Sequence, residues 1–173
     1  MGVILLAGVY GVGKSTIAEQ LSAQTGLASF SAGDLISQKN GEQYGTNKLV
    51  NDKDKNQDIL SACIAEILCK ENRVILAGHF CIVSKEGTID LLPESVFSQI
   101  DLEQIILLET SAETIISHMK NRDGKDYSLD LISRMLKVEK ECATRTAMRL
   151  GCPLYIHTME YTDKDIISLV AKL

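Results

Sequence analysis

The run Gly8-Val9-Tyr10-Gly11-Val12-Gly13-Lys14-Ser15 meets the spacing GxxxxGK[ST] at every fixed position. Glycines at these places let the backbone wrap close to phosphate oxygens, so that successive N–H groups and the N-terminus of a following helix face the anion. On this reading Gly8, Gly11, Val12, Gly13, Lys14, Ser15 and Thr16 hold the phosphates of ATP or GTP. Lys14 reaches the terminal phosphates, Ser15 puts its hydroxyl on Mg²⁺, and Gly11 removes a side chain where the loop turns. The competing reading is a glycine-rich strand-to-helix turn with a solvated lysine. Context favours the phosphate site, because the motif follows an apolar run and opens a helix-period segment.

Those residues need a strand before them and helices around them. Residues 3–7 (Val-Ile-Leu-Leu-Ala) form a short continuous apolar run ended by Gly8, the pattern of a parallel strand covered on both faces. It falls far short of the roughly 20 apolar residues of a membrane span. A helix is expected over 14–25, a strand over 28–31, a helix over 58–70, strands over 73–77, 104–109 and 153–157, and helices over 128–150 and 165–173. Alternation of this kind implies a parallel α/β sheet with right-handed crossovers. At 173 residues the expectation is one domain over 1–173. Lys plus Arg number 18 against 23 Asp plus Glu, which leaves no basic excess for a long nucleic acid. Five cysteines without a CxxC pair suggest neither a disulfide framework nor a zinc ribbon, and a reducing cytoplasm fits them.

Beyond the phosphate loop, the chain resembles the adenylate kinases, in particular their archaeal and short-lid nuclear types. Residues 8–16 look like their GxPGxGKTT, with Tyr10 where proline is usual. Phe30-Ser31-Ala32-Gly33-Asp34-Leu35 resembles their strand-then-GDL segment, and Ile75-Leu76-Ala77-Gly78-His79 their third-strand segment. Residues 87–97 are similar to the stretch leading into the fourth strand, and Asn121-Arg122-Asp123 resembles the RxRD lid. The resemblance implies a P-loop NTPase fold: a five-stranded parallel sheet flanked by helices, with a small acceptor-binding insertion and a short lid. It also implies phosphoryl transfer from ATP with Mg²⁺. Two departures stand out. Ala77 occupies the place of an acidic residue at the end of the third strand, and Ser37 the place of an arginine three residues after Asp34.

Single residues carry further expectations. Asp34 either caps a helix or orders metal-bound water or the acceptor hydroxyl. His79, just past the third strand, either bonds the acceptor or is a neutral core histidine. The polar segment 39–57, with Gly41, Gly45 and the charge run 52–55, is solvated surface or the acceptor-binding insertion. At its end Asn56 and Gln57 have amides suited to a base edge, although Asn56 also suits a helix cap. Lys39 is a candidate replacement for the missing acceptor cation. Residues 122–128 join two helices with cations and a glycine, as a lid would; Arg122 then meets the γ-phosphate with Arg134 as companion. Arg145 and Arg149 are expected in surface ion pairs, and His118 and His157 in structure or solvent. Together these residues imply a cytoplasmic phosphotransferase acting on a nucleoside monophosphate, AMP-like, with Lys14, Asp34, Arg122 and Arg134 catalytic, Ser15 on the metal, and Asp34, Gln57 and His79 at the acceptor. A kinase of a non-nucleotide small alcohol stays open, as does an ATP-binding regulator or ATPase working with a protein partner. Ala77 keeps the last alternative alive.

Overall fold

The structure is a computed structural model and describes residues 2–40, 53–84 and 87–173. The chain opens with β1 (Gly2–Ala7), α1 (Lys14–Thr25), β2 (Ala28–Ser31) and α2 (Ala32–Asn40). It continues with α3 (Lys53–Leu68), β3 (Arg73–Ala77), the short strands β4 (Cys81–Val83) and β5 (Ile89–Leu91), and α4 (Glu94–Ser98). The last elements are β6 (Leu102–Glu109), α5 (Ala112–Asp123), α6 (Leu129–Leu150), β7 (Leu154–Thr158) and α7 (Asp163–Val170).

Five strands form one sheet in the order β2-β3-β1-β6-β7, and every pairing in it is parallel. This is the five-stranded sheet flanked by helices that the alternation of elements implied. The unbroken apolar runs follow from burial on both faces. Ile4, Leu6, Ile75, Ile106 and Leu108 pack toward α1, α5 and α7, whereas Val3, Leu5, Val74, Leu76, Ile105 and Leu107 pack toward α3, α4 and the second half of α6. Helix α6 contributes Ile132 and Met135 to the first layer and Cys142, Ala143 and Ala147 to the second. Among the described residues no helix is long and apolar enough to cross a membrane.

Register decides where the loops meet. Leu6 pairs with Ala77 and Ala7 with Leu107, so β1, β3 and β6 end together. Because β1 has β3 on one side and β6 on the other, the chain winds outward in both directions from it, and a crevice opens beyond its C-terminal end. The loop that follows β1 therefore lies beside the turn that follows β3. The antiparallel β4–β5 hairpin and α4 fill the segment between β3 and β6, where the sequence pattern suggests no separate element. Strands of three residues are too short to display a period.

Ile106 is wholly buried in β6, one strand from the sheet centre. Ile106→Ala should retain the fold and lose about 2–5 kcal/mol of stability, since a packed sheet interior relaxes little around a cavity. Equilibrium urea denaturation measures this.

Candidate active site

The phosphate loop is shaped by positions that reject a side chain. At Gly8 (φ 148) a Cβ would stand 2.8 Å from the Leu108 carbonyl oxygen and 2.9 Å from Val12 Cγ1. At Gly11 (φ 83) it would stand 2.8 Å from Met119 Cγ and 3.3 Å from the Ile115 carbonyl oxygen, both on α5. Gly13 is the N-cap of α1, and no side chain there bonds back to the helix. The first-turn N–H groups of α1 have no intrahelical acceptor. With no acidic residue in that turn either, they suit a phosphate group.

Lys14 Nζ donates to the carbonyl oxygens of Gly8 at 2.6 Å and Val9 at 2.9 Å, folded over its own loop. It lies 5.9 Å from the centroid of the Tyr10 ring. Tyr10 in turn crosses to the turn after β3, where its hydroxyl is 3.2 Å from His79 Nε2 and the two rings are 4.8 Å apart. A cleft of about 780 Å³ opens over these groups, and its walls include Gly11, Gly13, Lys14, Ser15, Thr16, Asp34, Gln57, His79 and Arg122. Gly8 and Val12 are not on its walls; the Val12 side chain is wholly buried.

On the cleft wall that α3 supplies, Gln57 is 9% exposed. Its Oε1 accepts a hydrogen bond from Ser95 Oγ at 2.8 Å, while Nε2 is buried and has no partner among the described residues. Leu60, Leu92, Val96, Phe97 and Ile100 line the same cleft and belong to one apolar cluster. Asp34 sits in the first turn of α2, exposed to the cleft, and Ser31 Oγ rather than Asp34 caps that turn by accepting from the Asp34 N–H at 3.3 Å. Ser37 donates to the Gly33 carbonyl. Lys39 is 49% exposed and pairs with Glu66 at 3.1 Å, away from the cleft. Residues 41–52, the middle of the expected insertion, lie outside the described residues. Ala77 is a buried wall of the cleft, and among the described residues no group of three His, Cys, Asp or Glu side chains could enclose a metal.

The expected lid begins inside α5. Arg122 forks onto its neighbour Asp123, with Nη2 to Oδ2 at 2.7 Å, and the Tyr127 hydroxyl donates to the same carboxylate at 2.8 Å. The Arg122 hydrogen bonds hold Asp123 well below the usual carboxylate range. Arg134 is 60% exposed, pairs with Asp130 at 2.9 Å and is not a wall of the cleft. Arg145 and Arg149 both pair with Glu94 of α4, at 2.8 and 2.9 Å, as surface ion pairs.

A family model described as an AAA domain matches residues 7–135, well over half of the chain. The chain belongs to the AAA domain family. It is also similar to an adenylate kinase of Thermoplasma acidophilum, 27% identical over 179 residues that cover 96% of this chain and 97% of the relative. The resemblance drawn from the motifs is thus met along the whole length. Two crystal structures share the fold at 15% identity: a shikimate kinase from Bacteroides thetaiotaomicron (TM-score 0.64, 99% of this chain and 95% of that one) and a gluconokinase from Sinorhizobium meliloti (TM-score 0.57, 98% and 90%). This AAA-domain chain therefore has the fold of P-loop kinases.

Sequence reasoning passed over several cleft residues. His118, expected in structure or solvent, is a wall of the cleft: its Nδ1 lies 2.9 Å from the Gly11 carbonyl oxygen and its ring meets Tyr161 edge-on at 4.8 Å. Tyr161 adopts φ 58, a left-handed conformation uncommon for a tyrosine. The loop that carries it is held by Asp165, which is 2% exposed and accepts from the Glu160 and Thr162 N–H groups at 3.0 and 3.1 Å and contacts His157 Nε2 at 2.7 Å. No local pattern signals His118 and Tyr161, because they converge from a helix and a loop more than 40 residues apart in sequence.

Burial alone would raise the Asp165 carboxyl, but the two N–H groups and the imidazole outweigh it and hold it below its ordinary value. The stability it contributes is present above the unfolded carboxylate pKa of about 4 and lost as pH falls through the lower folded value. Asp165→Asn should destabilise the protein at pH 7, and the gap to the native chain should narrow at acid pH. Urea denaturation at pH 7 and pH 3 reads both.

Proposed function

We propose that the protein is a phosphotransferase that moves the γ-phosphoryl group of ATP to a nucleoside monophosphate, with an AMP-like acceptor. The observation that carries this reading is one cleft with two differently built ends. One end has the uncapped N-terminus of α1 behind a loop that leaves no room for a Cβ at Gly8 or Gly11. The other has an apolar slot with an unpartnered amide donor at Gln57, suited to a flat base with an acceptor atom on its edge. The full-length likeness to an adenylate kinase supports the same assignment.

Catalysis in this scheme is positional and electrostatic. Lys14 leaves the Gly8 and Val9 carbonyls for the phosphates, which offer it charge as well as acceptors. Arg122 leaves Asp123 to meet the migrating group, with Arg134 drawn in from α6 if the lid closes that far. Ser15 would hold Mg²⁺, with Asp34 ordering its water or the acceptor; hard oxygen donors suit that ion, which shields phosphate charge. His79 and Tyr10 would contact the acceptor between the two ends. A cytoplasmic setting accords with five cysteines that are all free.

A second reading, a kinase of a small neutral alcohol, has its own observation. Among the described residues, the cleft walls carry no lysine or arginine besides Lys14 and Arg122, both assigned above to the ATP phosphates, and Lys39 points to Glu66. A screen of nucleoside monophosphates, deoxynucleotides and small alcohols with Mg-ATP, reading ADP release, decides between them. Transfer to AMP-like acceptors is expected. Activity confined to alcohols would overturn the first reading, and the absence of any acceptor-stimulated turnover would overturn both.

Two variants test the roles. Lys14→Ala should abolish transfer and weaken ATP binding, whereas Arg122→Ala should lower kcat by tens- to thousands-fold with a smaller effect on ATP binding, since its charge is used chiefly in the transition state. Steady-state kinetics with direct ATP titration separate the two. Gln57→Leu, of similar volume, should raise the acceptor KM by about tenfold, the cost of one directed hydrogen bond, and leave the KM for ATP unchanged. A changed ATP KM would move Gln57 off the acceptor.

A further inference from the structure

Glu139 carries a charge-bearing group where packing asks for none. It is 1% exposed, in the apolar stripe of α6 between Met135 and Cys142. Its Oε1 accepts from the Gly8 N–H at 3.2 Å and the Phe80 N–H at 2.9 Å, and its Oε2 accepts from Phe80 at 2.9 Å and Cys81 at 3.0 Å. One carboxylate thus binds two separate turns. Gly8 opens the phosphate loop, and its carbonyl holds Lys14. Phe80 directly follows His79, whose ring meets Tyr10 from the acceptor side. Burial raises the Glu139 carboxyl, opposed by the Phe80 N–H and the Lys14 charge.

A buried carboxylate is costly to desolvate, and an apolar side chain would fill the same space without that cost. What an apolar residue cannot do is fix two backbone turns at a set separation through shared acceptor atoms. That separation matters for in-line transfer, where reacting atoms must lie about 3–3.5 Å apart and an error near 1 Å can cost about a hundredfold in rate.

We propose that Glu139 is a positioning residue that sets the distance between the donor phosphate loop and the acceptor-side turn at His79. The inference rests on the phosphotransfer reading above. It assigns Glu139 no contact with substrate. Its effect should therefore fall on the step that needs both ends aligned, and not on binding at either end.

The test uses the full chain. Glu139→Gln keeps one acceptor oxygen but turns the other into a donor that faces backbone N–H groups, so one of the two turns is released. With the fold checked by circular dichroism, transfer kcat should fall about 10–100-fold. The Kd for ATP, and the slow hydrolysis of labelled ATP in the absence of acceptor, should change by less than about threefold, because water needs no aligned acceptor turn. Transfer and hydrolysis falling together, or transfer unchanged, would overturn the proposal. Should Glu139→Gln not fold, Glu139→Asp, which keeps the charge and shortens the reach by one methylene, is read by the same ratio. A readout independent of any acceptor is the set of backbone amide resonances of the native protein as a non-hydrolysable ATP analogue is added. Movement at Phe80 and Cys81 together with Gly8 supports the tie even if no acceptor is ever phosphorylated. Movement of Gly8 and Lys14 with Phe80 and Cys81 unchanged overturns it.

Discussion

Within six residues the backbone must leave a strand buried on both faces, turn, and start a helix while keeping the first-turn amides of that helix open to the cleft. Side chains obstruct this. The end of β1 is hemmed in by Leu108 of β6, and the loop passes so close to α5 that a single Cβ at Gly11 would strike Met119 and Ile115. Glycine meets the constraint twice, by occupying no space and by adopting positive φ without strain. Three groups that face the cleft take their places from this turn: Lys14 folded over the loop carbonyls, Tyr10 reaching to His79, and His118 set against the Gly11 carbonyl.

The cleft is built unevenly, and the unevenness follows from the sheet. On the phosphate-loop side the groups are backbone amides and cations, delivered by the N-terminus of α1 and the last turn of α5. Beyond β3, the walls come from α3, α4 and the segment between them, elements whose inner faces also pack against the sheet. Apolar side chains are then the natural lining, and a polar group such as Gln57 persists among them only because Ser95 satisfies one of its atoms. An amide donor left over in such a place is a specific feature, since buried polar groups are rarely left unpaired.

The cations Lys14, Arg122 and Arg134 find their partners close to home in the sequence. Lys14 rests on its own loop, Arg122 on the adjacent Asp123, Arg134 on Asp130 one turn away. Each of these partners is local in sequence, so releasing the cation requires no unfolding, only an anion that competes better. Exposed ion pairs of the kind Arg122 and Arg134 make are weak, at about 0–1 kcal/mol, whereas Lys14 is partly buried against its own loop.

Much of this was legible in the residues alone. The phosphate loop, the strands of the parallel sheet and the long helix that became α6 follow from local pattern, because apolar periodicity and glycine spacing are imposed on the chain by neighbours close in sequence. The β4–β5 hairpin was invisible, being too short to show a period. Three further features depended on the tertiary structure. Gln57 gained its meaning from burial against Ser95, Asp165 from holding a loop by two backbone bonds, and Glu139 from meeting Gly8 across 131 residues of chain. Local pattern states which face of a helix is buried. It does not state which backbone turns end beneath that face, since that depends on register among β1, β3 and β6. A carboxylate in an apolar stripe is therefore only an anomaly in the sequence, and the converging N–H groups that account for it exist only once the sheet has assembled.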